Sequence, residues 1–137
     1  MASKQKIWDP LRRRMVSLTP EERVRQWMIG VLTDAAGVPR HQMISEAEIH
    51  FGSAGKTWRA DILVYGRGGA PLCVVECKRP EVTLSPAVLE QALRYNCVLD
   101  VRCILITNGT ETRVFVREGE GWTGLDHFPD YEEMLNL

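Results

Sequence analysis

Nowhere in these 137 residues is there a stretch of the roughly 18–20 consecutive apolar residues that a membrane-spanning helix needs. A surplus of charge is missing too. Seventeen Lys and Arg against eighteen Asp and Glu leave a net charge of −1, whereas a chain that held nucleic acid by charge alone would carry a basic excess. Histidine is scarce: His41, His50 and His127 form no i, i+4 pair and no ligand spacing, which argues against a zinc site. No repeat, low-complexity tract or linker divides the chain. The opening MASKQKIWDPLRRRM is basic but no apolar block follows it, so no signal peptide is expected and the protein is expected in the cytoplasm. Cys73, Cys77, Cys97 and Cys103 lack the close-paired spacing of a zinc knuckle. Each sits in an apolar segment and is expected as a small, reduced core residue.

What is present is an ordinary globular composition, 45% apolar and 26% charged, in a length that suits one domain with a sizeable core. The charge is unevenly spread. Residues 1–40 carry eight Lys/Arg against four Asp/Glu, and residues 118–137 carry six Asp/Glu and no Lys/Arg. Arg12, Arg13 and Arg14 could meet phosphates, but charge alone favours a solvated, partly disordered basic arm over residues 1–16, ahead of a single domain over 17–137.

Thr19 as cap, Pro20 at the first helical position and Glu21 and Glu22 in the first turn predict a helix start. Val24, Trp27, Met28, Val31 and Leu32 continue it at helical spacing, and Gly37 and Pro39 end it. MISEAEIHFG, TWRADILVYG and PLCVVECK then predict three strands, the last two a hairpin across GRGGAP. Ser85-Pro86 opens a second helix. VRCILIT and TRVFVRE predict two further strands around the Asn108-Gly109 turn, and DYEEMLNL a short final helix. The order helix, three strands, helix, two strands predicts an α/β domain with a mixed central sheet flanked by helices.

The stretch PLCVVECKRP sets two charges into an apolar strand. By alternation Glu76 and Lys78 share one face, and Asp61 in the preceding strand points with Leu63 and Tyr65. Across a hairpin, Asp61 and Glu76 would fall together with Lys78 beside them. Two close carboxylates repel unless one keeps its proton or a cation lies between them. Magnesium suits such a pair, since it takes a few carboxylate oxygens, a carbonyl and waters. Lys78 would then orient or deprotonate an attacking water and stabilise charge developing at phosphorus. The competing reading is a plain cross-strand ion pair.

RADILVYG, PLCVVECKRP, LEQALRYN and ILITNG, in that order, resemble the restriction-endonuclease-like (Asp … Glu-x-Lys) nuclease superfamily. Together with TPEERVRQW they most resemble the N-terminal domain of the type I restriction enzyme R subunit, over about residues 17–117. The resemblance implies a restriction-endonuclease-like core and a metal-dependent DNA phosphodiesterase centre using Mg²⁺ or Mn²⁺. Asp61, preceded by Ala60 where the superfamily pattern has proline, and Glu76 would be metal ligands, joined by the backbone carbonyl of Cys77. Lys78 would be the catalytic lysine. Gln91 and Tyr95 match a Gln-x-x-x-Tyr motif, four apart on one helix face, where Gln91 would hold the DNA backbone or the attacking water. A glutamate on the first helix often completes such sites, and Glu21 lies nearer the inward face than Glu22. Arg79 could reach a phosphate. Glu46 resembles a family position, although it and Glu48 also suit strand-edge charges.

No Gly-x-x-x-x-Gly-Lys-Ser/Thr phosphate loop occurs in the sequence, so the ATP-driven motor of type I enzymes is not expected here. No module for reading base edges is visible either. The expected partners are DNA and further restriction or repair subunits, with a homodimer as one way to cut both strands. The alternative is a non-catalytic nucleic-acid-binding or assembly module that keeps the nuclease fold.

Overall fold

Thr19 starts the first helix as predicted, its hydroxyl accepting from the Glu22 amide at 3.0 Å ahead of Pro20. A computed structural model describes residues 5–51, 55–97 and 99–137. Strands β1 (Lys6–Asp9) and β2 (Arg14–Ser17) precede helix α1 (Pro20–Gly30), which runs on through a π turn at Val31–Ala35. Strands β3 (Met43–Phe51), β4 (Lys56–Tyr65) and β5 (Pro71–Cys77) follow, then helix α2 (Pro86–Asn96). Strands β6 (Cys103–Thr107), β7 (Thr112–Glu118) and β8 (Gly121–Leu125) lead to helix α3 (Tyr131–Leu135). No helix among the described residues is long and apolar enough to cross a membrane.

β3 to β8 form one sheet in sequence order. β5 and β6 pair in parallel, the other neighbours antiparallel. A parallel pair needs a crossover, and α2 supplies it. The α/β architecture with a mixed sheet and flanking helices therefore stands, with two additions. β8 escaped prediction because GWTGL has two glycines and a mostly exposed pattern, which an edge strand tolerates. The N-terminal segment is the larger correction. Residues 6–17 do not form a solvated arm but a hairpin, closed by Asp9. The Asp9 carboxylate is fully buried, accepts the Leu11 amide at 2.7 Å and pairs with Arg12.

Two apolar layers sandwich the sheet. Met28 of α1, Leu32 of the π turn and Met134 of α3 pack on Ile62, Val64, Cys73 and Val75. Leu84 and Ala92, at and within α2, pack with Leu63, Val74, Ile104 and Ile106 on the other side. Alternation fails at one place. Trp58 and Ala60 join the α2 layer with Leu63, although they are even-numbered like Ile62 and Val64. Ser45↔Ile62 and Ala47↔Ala60 bracket the pair Glu46 and Asp61, and Glu46 has φ +53°. A left-handed residue in a strand turns the chain over, so both strands swap faces where Asp61 sits.

Three cysteines, Cys73, Cys77 and Cys103, are buried as expected, while Cys97 is exposed at the end of α2. Asn108 makes the expected turn, accepting the Thr110 and Glu111 amides at 2.9 and 2.7 Å and donating to the Val82 carbonyl at 2.9 Å. Gly109 follows at φ +89°, and a Cβ there would lie 3.3 Å from Val24 of α1. Gly109→Ala is expected to lower unfolding free energy by about 1–3 kcal/mol through backbone strain, measured by urea denaturation.

Candidate active site

The β4–β5 ladder runs to Ile62↔Val75, and beyond it the two strands part. Lys78 N–H donates to the Thr107 carbonyl at 2.7 Å, so the backbone of Cys77 turns its own N–H and C=O to the opposite edge, toward β4. There the Cys77 N–H donates to Asp61 Oδ2 at 2.7 Å. Asp61 thus replaces the missing strand partner with a carboxylate. Its other oxygen accepts from Arg25 of α1 at 2.8 Å. Glu76 is held from the opposite layer: Lys78 Nζ lies 2.9 Å from Oε2, and Asn96 of α2 donates to Oε1 at 3.3 Å.

A cavity of about 300 Å³ opens at this fork, walled by Glu21, Arg25, Glu46, Asp61, Glu76 and Asn96, among others. Asp61 and Glu76 therefore face one space although they are anchored from different sides. Burial pushes the Glu21 carboxyl above its ordinary range, and the nearby Asp61 charge adds to this, against the pull of Arg25 and Lys78. Glu22 points elsewhere, accepting from Arg12 at 2.6 Å, from Arg25 at 2.7 Å and from Gln26 at 3.0 Å.

Arg25 is the hub of a wider network. It is buried and reaches Glu22, Glu46 and Asp61. Arg12 from the hairpin meets Asp9, Glu22 and, at 3.0 Å, Glu46. Two arginines thus bind four carboxylates, tying the hairpin to α1, β3 and β4. A buried charge persists only when it is paired in this way.

Cys77 and Lys78 touch Asp61 and Glu76 without lining the cavity, and Gln91, Tyr95 and Arg79 also lie outside its wall. Gln91 is exposed on α2. Tyr95, 46% exposed, stacks on Trp58 at 6.3 Å between ring centroids and accepts the Arg59 amide at 3.0 Å. Arg79 is exposed and pairs with Glu81 at 3.5 Å. Glu48 lines the cavity beside Arg59, 3.7 Å away. The Cys77 thiol is buried, which raises its pKa well above the usual range, so only its backbone is available to the site. Sequence reasoning passed over Arg25 and Asn96. Both carried a signal: Arg25 sits within the apolar stripe Val24, Met28, Ile29, and Asn96 lies four residues after the buried Ala92. A polar residue on an inward helix face is there to bind something buried.

The donor set fits a small hard cation. Among the described residues no group of three or more His, Cys, Asp or Glu is placed to hold a metal ion. Magnesium needs only one or two carboxylates with waters. A carboxylate has about four acceptor positions. The Asp61 side chain spends two, on Arg25 and the Cys77 amide, and two remain. Each carboxylate already has a protein cation at hand, Arg25 for Asp61 and Lys78 for Glu76.

Removing one partner of a buried ion pair strands the other, at a cost of about 3–5 kcal/mol, so Arg25→Met should lower urea stability by that order. Glu21 behaves oppositely. Its raised pKa means that its contribution to stability is present below the ordinary glutamate range and lost as pH rises through the shifted value. Glu21→Gln should therefore raise the melting temperature at pH 7 in metal-free buffer, despite the helix N-terminus that favours an anion. That gain should vanish near pH 4, as followed by circular dichroism.

The model of the type I restriction enzyme R protein N terminus matches residues 20–129, 110 of the 137 residues. Among solved structures, a fragment of a candidate HsdR subunit of a type I restriction enzyme from Vibrio vulnificus has a TM-score of 0.64 at 23% identity. The match covers 87% of this chain and 25% of that one, so the chain spans a quarter of that protein's length. A candidate nuclease of the DUF820 group from Anabaena variabilis has a TM-score of 0.51 at 15% identity, covering 90% of this chain and 81% of that one. No curated protein matches. The two structural likenesses bear on the fold, which they share with nuclease-like proteins. With its family model matched over four-fifths of its length, the chain belongs to the type I restriction enzyme R protein N-terminal family.

Proposed function

We propose that this domain is a divalent-cation-dependent phosphodiesterase acting on DNA. The observation that carries this is the shared cavity: Asp61 and Glu76 face it at the fork of two strands, Asp61 accepting the Cys77 amide. Asp61, Glu76 and the Cys77 carbonyl would hold Mg²⁺ or Mn²⁺, with Glu21 at the margin. Bound there, such an ion would polarise a phosphoryl oxygen and lower the pKa of a water.

The chain's own residues do the rest. Arg25 orients Asp61, and Asn96 does the same for one oxygen of Glu76. Lys78 orients the attacking water and stabilises the charge that develops at phosphorus. Gln91, Tyr95 and Arg79, exposed and outside the wall, are assigned to the DNA strand, Gln91 being the one nearest to a catalytic part in the sequence pattern. Restriction or repair subunits, or a second copy for cutting both strands, belong to the same proposal, as does a cytoplasmic setting.

A second reading rests on the internal pairing of the site. Asp61 is paired with Arg25 and the Cys77 amide, and Glu76 with Lys78, so both carboxylates have partners without an ion. A binding or assembly module that keeps the nuclease fold would look like this.

Cleavage of supercoiled plasmid separates the two. The native protein should nick or linearise it only with Mg²⁺ or Mn²⁺, and Glu76→Ala and Lys78→Ala should each lower the rate by about 10²-fold or more. Equal cleavage by Glu76→Ala would contradict the assignment. Plasmid binding without cleavage in either metal would support the second reading.

A further inference from the structure

We infer that the N-terminal hairpin is a strand-binding arm that delivers single-stranded nucleic acid to the carboxylate cavity, an inference that rests on the nuclease reading above. Strand alternation sorts the hairpin into two faces. Ile7, Asp9 and Val16 turn toward the domain, Asp9 and Val16 buried and Ile7 half-buried. Lys6, Trp8, Met15 and Ser17 turn outward, all exposed. Trp8 and Met15 are directly opposite in the ladder, and 54% and 53% exposed. Leaving that much apolar surface in water on so small an element is costly, and no described residue covers it.

The charges point to what would. Of the hairpin's five charged residues, Asp9 and Arg12 are consumed by the buried network. Lys6, Arg13 and Arg14 make no ion pair among the described residues. A domain with net charge −1 thus carries three unpaired cations on the same hairpin that presents an exposed indole, Lys6 on the Trp8 face, Arg13 at the turn and Arg14 on the other face. That combination matches a polyanion with flat apolar faces: phosphates meet the cations while an unstacked base lies on Trp8. A duplex keeps its bases stacked inside and would use only the cations, so the pairing of both features favours a single strand.

Position completes the argument. A groove of about 450 Å³ runs along the hairpin past Arg14 and Met15. It shares Glu21, Arg25 and Glu46 with the cavity at the strand fork, so the two adjoin. The ionic network of Arg12 with Glu22 and Glu46 fixes the hairpin at that mouth. A strand on Trp8 and Met15 would enter the groove and end at Asp61 and Glu76.

The test is fluorescence anisotropy with a labelled oligothymidine of about 16 nucleotides in EDTA, where no cutting occurs. Trp8→Ala should weaken binding roughly fivefold to a hundredfold, and Trp8→Phe should retain most of the native affinity. Arg13→Gln with Arg14→Gln should reduce the slope of log affinity against log salt by about 1.4. Circular dichroism confirms the fold of each variant. Native affinity in all three variants, or no binding by the native protein, would overturn the inference. So would variants that bind the oligonucleotide normally but lose self-association in sedimentation, which would make the hairpin a protein contact. The nuclease reading is judged separately by plasmid cutting in metal: cutting with unaffected hairpin variants removes only the arm, and hairpin-dependent binding without cutting removes only the chemistry.

Discussion

The ion pair between Arg25 and Asp61 is the constraint on which the rest of this molecule turns. A strand pair that splits open leaves backbone amides without partners, and a buried amide must be satisfied. Asp61 satisfies the Cys77 amide with one oxygen and anchors to Arg25 with the other. Arg25 in turn is a buried cation, tolerable only because Glu22, Glu46 and Asp61 surround it. The open fork, the cavity inside it and the docking of α1 over the sheet all follow from one guanidinium on an otherwise apolar helix face.

The same network explains how a strongly charged site can sit in a stable domain. Four carboxylates and two arginines form a group in which each charge has a close opposite, joined to Lys78 and Glu76 at the far side of the cavity. Glu21 is the exception, an acid crowded by burial and by Asp61. Perturbed carboxyls of this kind cluster at functional sites. The hairpin differs in that its Lys6, Arg13 and Arg14 make no ion pair among the described residues.

Much of this was legible in the sequence. The Thr19-Pro20 and Ser85-Pro86 caps, the Asn108-Gly109 turn, the five main strands and the helix over β5–β6 follow from local chemistry that tertiary packing does not override. Glu76 and Lys78 were legible as a pair because a charge in an apolar strand demands a partner. The face of Asp61 was not, because period-two reasoning assumes an unbroken pleat, and Glu46 at φ +53° breaks it at that residue. The hairpin was hidden by its arginine run, which suggests a solvated tail until Asp9 is seen to cap the turn and bury Arg12 against α1. Gln91 is exposed and Asn96, five residues on and on another face of the helix, is the α2 residue that touches Glu76.

The central claim is that Asp61 and Glu76 form one cation site. Isothermal titration of Mn²⁺ into metal-free protein tests it without reference to any substrate. The account predicts a single site that is lost in both Asp61→Asn and Glu76→Gln while circular dichroism stays native. Undiminished Mn²⁺ binding in the two variants, or none in the native protein, would contradict it.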